Sequence, residues 1–248
     1  MMLSSELLSA PLLDHRGLDL DAASRVTYVL QQSFRYDYDK PVRALRQRLV
    51  IVPRSRHGNQ YRRAHTLEVD GAQAERRVRR DCRGNVVTAL LAEHVARSVE
   101  FRLAAILERI RDDGPVVVPR AALASPGLLR PTRLTAADDR LRELARELTV
   151  RSDTPLERAE RICGRVHAAM TYRDGVTSVQ TPAAEALAGR EATAVAFDPC
   201  NGCRGGSGYL TVATGRDYSD VAPTSGSYVG TSRGRLTADR RVGVLAAA

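Results

Sequence analysis

Tyr36-Asp37-Tyr38-Asp39-Lys40-Pro41-Val42 opens the stretch on which the fold turns. Tyr36 and Tyr38 alternate ahead of Pro41, and Leu45, Gln47, Leu49 and Ile51 follow at period two until Pro53. A period of two puts alternate side chains on one face of an extended chain, so both runs read as strands. His65 to Val69 is a further short strand candidate. Asp81-Cys82-Arg83-Gly84-Asn85 reads as a turn, with Gly and Asn tolerating positive φ. Val86 to Leu91 resumes the extended pattern and Ser98 to Leu103 continues it, while Ala104 to Ile110 is compatible with a turn into helix. Antiparallel strands joined by short turns predict a β-rich, sandwich-like first domain over residues 26–112, behind an N-terminal extension at 1–25.

Beyond it, Gly114, Pro115, Pro119, Pro126, Gly127 and Pro131 break regular structure, so residues 113–131 read as a linker. Residues 132–248 then read as a second domain, giving an α+β chain. Its first helix runs from about Ala136 to Leu148, with Leu141, Leu144, Ala145 and Leu148 as one apolar stripe. The second begins at Thr154 as N-cap, with Pro155 at N1 and Glu157 closing a capping box. It continues to about Tyr172 and buries Leu156, Ala159, Ile162, Cys163, Val166 and Met170. Thr181-Pro182 starts a short third helix that Gly189 ends. Val195 and Phe197 return to period two. A glycine-rich loop at 202–208 precedes a strand from Tyr209 to Ala213, and a tail strand covers about Arg235 to Leu245.

The chain has 248 residues, 43% of them hydrophobic, enough for a buried core. Its formal charge is +9, and Lys40 is the single lysine, so the excess is arginine. A basic surface attracts acidic partners or phosphate. The densest run, Arg76-Arg77-Val78-Arg79-Arg80, has no aromatic platform or groove-reading motif beside it and reads first as an ordinary strand surface. Cysteines at 82, 163, 200 and 203 form no disulfide framework, which suggests a reducing compartment. The apolar run at 7–13 lacks a basic flank and is broken by Pro11, and no stretch is long enough to span a bilayer, so the expectation is cytoplasmic with no membrane partner.

Several segments together resemble bacterial transglutaminase-like proteins, whose catalytic domain has a papain-like cysteine protease fold. The 36–42 stretch and the Asp81 to Val86 turn are similar to that family's N-terminal region. Met170-Thr171-Tyr172, Gly175-Val176-Thr177 and Thr181 to Leu187 resemble the approach to its catalytic core. Phe197-Asp198-Pro199, Asn201-Gly202 and Gly215-Arg216-Asp217-Tyr218-Ser219-Asp220-Val221-Ala222-Pro223 resemble its end. The resemblance implies a catalytic cysteine at a helix N-terminus, then a histidine, then an orienting acid. Only the acid has a counterpart here, Asp198. Gly189-Arg190 runs directly into Glu191-Ala192-Thr193-Ala194-Val195-Ala196-Phe197-Asp198, with neither cysteine nor histidine. The second domain therefore reads as truncated. Without the nucleophile helix, apolar strand faces such as Val195, Phe197 and Val212 would lose cover. Thiolate attack needs a base to take the proton and a carboxylate to hold that base's tautomer. Losing one member costs roughly 10⁴–10⁶ in rate, and here two are missing.

Other residues could replace the lost pair. Cys163 and His167 stand at i and i+4 and share a helix face, although a small buried cysteine beside an edge histidine explains them as well. Cys200 and Cys203 form a C-x-x-C, half of a zinc site at most, and Cys82 and His94 are the available further ligands. Cys200 near Asp198 could also serve as a relocated nucleophile. His15, His57, His65 and His94 read as surface or satisfied residues. Arg216, Asp217 and Asp220 read as turn and ion-pair residues. The leading expectation is a pseudoenzyme with a binding, scaffold or remnant role, no cofactor and no metal, partnered by an intact paralogue or by itself. The alternative is an active cysteine-dependent acyltransferase or amidohydrolase acting on Gln, Asn or peptide amides. A basic nucleic-acid-binding protein ranks last.

Overall fold

The computed structural model describes residues 11–14, 17–111, 130–133, 135–149, 154–169, 197–198 and 203–248. They fall into two units. The first comprises residues up to 112 together with 210–214 and 221–248; the second comprises 113–209 and 215–220.

The first unit is a pair of facing antiparallel sheets. Strands β1 (Arg25–Tyr38), β2 (Val42–Leu49), β3 (Arg56–His57), β4 (Gln60–Asp70), β5 (Glu75–Arg80), β6 (Val86–Val95) and β7 (Ser98–Ile110) come from the N-terminal half, while β10 (Thr224–Val229) and β11 (Gly234–Ala247) come from the C-terminus. One sheet has the order β11-β1-β7-β4-β3 and the other β10-β2-β6-β5. Alternation in sequence becomes alternation in burial. Val26, Tyr28, Leu30 and Phe34 of β1 and Val99, Phe101, Leu103 and Leu107 of β7 meet Val42, Leu45, Leu49, Leu90 and Val95 of the second sheet in one core. Ala104 to Ile110 forms no helix. It is the second half of β7, flanked by β1 and β4 along its length.

The opening stretch, 36–42, is tied to the C-terminal strands. The Tyr36 hydroxyl lies 2.6 Å from Thr224 Oγ1. The Tyr38 ring meets Tyr228 edge-on at 5.2 Å, and burial pushes its hydroxyl up to about 12. Asp39 Oδ1 accepts from the Ser232 hydroxyl at 2.6 Å and from the Arg233 amide at 2.8 Å. These bonds, the serine hydroxyl's above all, hold the Asp39 carboxyl below its usual range.

The partition differs from the expected one, in which 132–248 formed a single second domain. β11 pairs with β1 from Val26↔Ala247 to Tyr38↔Gly234, and β10 pairs with β2. Residues 210–214 also belong to the sandwich, where Leu210 and Val212 pack on its core. The expected strand at 209–213 is not one: no backbone ladder forms. Two buried side-chain amides stand in for a partner strand. Gln60 donates through Nε2 to the Thr211 carbonyl at 2.7 Å and accepts the Thr211 amide on Oε1 at 2.9 Å. Asn85 does the same for Thr214, at 2.7 and 2.9 Å.

In the second unit, α1 (Asp139–Thr149) and α2 (Pro155–Ala169) pack together. Asp138 caps α1 by accepting the Leu141 amide at 2.9 Å. The capping box of α2 is present: Glu157 Oε2 accepts the Thr154 amide at 2.8 Å, and the Glu157 amide donates to Thr154 Oγ1 at 3.3 Å. Of the expected apolar stripes, Ala145 and Leu156 are exposed, whereas Ala159, Ile162 and Val166 are half-buried and Cys163 is buried. β8 (Phe197–Asp198) pairs with β9 (Cys203–Arg204), and a single turn, α3 (Tyr218–Val221), follows. The expected helix at 181–187, the segment from Met170 to Thr177, and Val195 lie outside the described residues. No helix among the described residues is long and apolar enough to cross a membrane.

Candidate functional site

Asp198, the expected triad acid, ends the short strand β8 opposite Cys203. It is half-buried, and its Oδ2 accepts the Tyr209 hydroxyl at 3.0 Å. A carboxylate so placed can orient a hydrogen-bond donor. α2 lies against β8, so the helix that carries Cys163 and His167 neighbours the strand that carries the acid. Cys163 is 6% exposed, as a core residue is, while His167 one turn later is exposed. A thiol in that position is shielded from a substrate carbonyl, and mid-helix it lies beyond the first-turn field that lowers thiol pKa.

Cys200 lies outside the described residues, so the C-x-x-C is seen only through the backbone of Cys203. Cys82 is exposed in the turn before β6, with the Arg83 guanidinium 3.8 Å from its sulfur. His94, the other candidate zinc ligand, is exposed near the end of β6. Among the described residues no group of His, Cys, Asp and Glu is arranged to hold a metal ion. His57 and His65 sit half-buried in the sandwich. Burial, then neighbouring arginines (Arg54 and Arg109 for His57, Arg62 and Arg76 for His65), holds both below their usual range.

The 215–223 run builds a helix start. Asp217 Oδ1 accepts the Ser219 amide at 2.9 Å and its hydroxyl at 2.5 Å, and hydroxyl bonds from Ser219 and then Thr132 hold its carboxyl low. Asp220 Oδ2 accepts from the Arg216 amide and guanidinium at 3.0 and 3.2 Å. An aspartate N-cap closed by an i,i+4 ion pair accounts for these residues structurally.

The arginine run 76–80 is the edge strand β5. Arg76 reaches the Leu67 carbonyl at 3.1 Å and Arg80 the Ser55 hydroxyl at 3.3 Å, so these two brace the sandwich. Arg77 stands on the opposite, outer face. Sequence reading passed over its companions there, Arg46 and Arg48. The available signal was their alternation with Leu45, Gln47 and Leu49 in β2.

Comparison with known proteins places this geometry. Residues 28–108 match the bacterial transglutaminase-like N-terminal region, which is β1 to β7 but for their outer ends. Among solved structures, a protein from Cytophaga hutchinsonii named "putative cysteine protease" superposes with a TM-score of 0.63 at 16% identity, over 90% of this chain and 92% of that one. At that identity the likeness is one of fold. Among curated proteins, none matches the chain.

Proposed function

Starting from a chain that carries a bacterial transglutaminase-like N-terminal region, we propose that it is a non-catalytic member of the transglutaminase-like group, with a binding or scaffolding role. One observation carries this reading: from Gly189 to Asp198 the sequence offers neither thiol nor imidazole, where the group's chemistry needs both. Acyl transfer from an amide requires a thiolate, a base for its proton and an acid that protonates the departing amine. Asp198 supplies only the orienting carboxylate. The burial of Cys163 supports the same reading, because a buried thiol behaves as a small hydrophobe. A self-associating or paralogue-bound form is the scaffold role proposed for it.

The test is thiol reactivity. The native chain is treated with iodoacetamide well below the usual thiol pKa of about 8.5, and each cysteine is followed by mass spectrometry. All four should label no faster than a cysteine in an unstructured peptide, and glutamine peptides should release no ammonia. Rapid labelling of Cys163, Cys200 or Cys203 at that pH, together with ammonia release abolished by its Ser variant, would restore the acyltransferase reading.

A further inference from the structure

We infer that the outer face of the β10-β2-β6-β5 sheet is a docking groove for an acidic, partly apolar polypeptide segment in extended conformation. The inference stands on the sandwich alone, independently of the reading of Asp198.

Strand register assembles the groove. One row across the sheet is Ser227, Arg46, Leu91 and Glu75; the next on the same face is Ser225, Arg48, Ala89 and Arg77. These rows line a concavity of about 520 Å³. Arg46 and Arg77 are exposed, and neither has an ion-pair or hydrogen-bond partner among the described residues. The contrast is with strands β1, β4 and β7 of the other sheet. There Arg102 pairs with Glu68 and Asp70, Arg35 with Asp37, and Arg25 and Arg63 with Glu108. Those four arginines are neutralised within the fold, while Arg46 and Arg77 are left for an external anion.

The groove also selects among anions. Leu91 is 39% exposed on the floor beside Ala89, a contact for an apolar side chain. No aromatic side chain lines it, so it offers no platform for stacked bases. Arg46 and Arg77 stand two strands and two residues apart, roughly 12 Å at ~4.8 Å per strand and ~3.4 Å per residue. An extended segment with carboxylates four residues apart covers that distance at about 3.3 Å per residue, and the residue midway between them faces the same way. Its apolar residue would fall over Leu91.

The probe is a dye-labelled peptide of Glu-Ser-Leu-Ser repeats, which puts Glu and Leu on one face of an extended chain, titrated by fluorescence anisotropy against the full chain at low salt. Arg46→Glu with Arg77→Glu should weaken binding about tenfold or more, as expected for groove charges meeting a complementary ligand. Arg46→Lys with Arg77→Lys should retain most of it, which separates lost charge from a misfolded variant. Arg235→Glu with Arg240→Glu, an equal charge change on exposed positions of β11, should leave binding within about twofold, since unspecific attraction follows net charge alone. Equal weakening by both Glu pairs would overturn the groove as the site. Displacement of the peptide by oligothymidine at lower concentration than by unlabelled peptide would overturn the choice of polypeptide over nucleic acid. No binding at low salt would overturn the inference entirely.

Discussion

Asn85 shows how one side chain can close a chain on itself. It is fully buried, and its amide spends every hydrogen-bonding group. Nδ2 donates to Asp81 Oδ2 at 2.9 Å and to the Thr214 carbonyl at 2.7 Å; Oδ1 accepts the Thr214 amide at 2.9 Å and Arg54 Nη2 at 2.8 Å. Around it, burial pushes the Asp81 carboxyl up, but bonds from the Asn85 side chain and the Asn85 and Arg83 amides, with Arg54 nearby, outweigh burial and leave it lowered. Asn85→Ala would strand the Thr214 backbone N–H and carbonyl, while Arg54 Nη2 would keep Thr214 Oγ1 as its partner. Each orphan costs about 1–3 kcal/mol, partly relieved by water, so urea unfolding should show a loss of about 2–4 kcal/mol. A loss under about 1 kcal/mol would mean that the grip on Thr214 is dispensable. The sequence made the Asp81–Asn85 turn legible, because Asp, Gly and Asn act locally. The grip on Thr214, 129 residues away, has no local signature.

At the scale of elements, alternation was the reliable signal and helix propensity the misleading one. β2 and β6 were legible because Leu45, Gln47, Leu49 and Leu90 alternate with exposed partners. The second half of β7 was ambiguous because Ala104-Ala105-Ile106-Leu107-Glu108 favours helix in isolation. Pairing on both edges, to β1 and β4, overrides that preference. The α2 capping box was legible for the opposite reason, since all of its bonds are local. A bend in β2 escaped notice altogether. Ala44 has φ of 46°, the left-handed region, where the register against β10 slips between Ser227 and Val229. An alanine there costs roughly 1–2 kcal/mol in backbone sterics, and glycine would remove that at some entropic cost. Ala44→Gly should therefore stabilise the sandwich by about 0.5–1 kcal/mol in urea; destabilisation would show that the alanine methyl's packing outweighs the strain.

At the scale of the whole chain, the sandwich is built from both ends of the sequence, and the second unit is inserted within it as residues 113–209 and 215–220. Reading in order from the N-terminus hides this, because a strand gives no sign of which distant strand will pair with it. The β-rich domain at 26–112 was thus anticipated without its C-terminal strands. Two rearranged chains separate the possibilities. A chain ending at residue 209 lacks β10, β11 and both amide-gripped segments; it leaves β1 as an unpaired edge and removes Val244 from the core. Such a long bare edge favours aggregation, and the chain should show no cooperative unfolding transition. Replacing 113–209 with a short Gly/Ser linker should instead leave a sandwich that folds. The ends to be joined lie close together: the Ile110 amide donates to the Asn59 carbonyl at 3.1 Å, and the adjacent Gln60 holds Thr211. About six linker residues reach up to ~20 Å, more than this junction needs. A single cooperative urea transition with near-native β circular dichroism is the expected result. If the linker variant stays unfolded while the chain ending at 209 folds, the sandwich does not depend on its C-terminal strands, and the assignment of β10 and β11 to it is wrong.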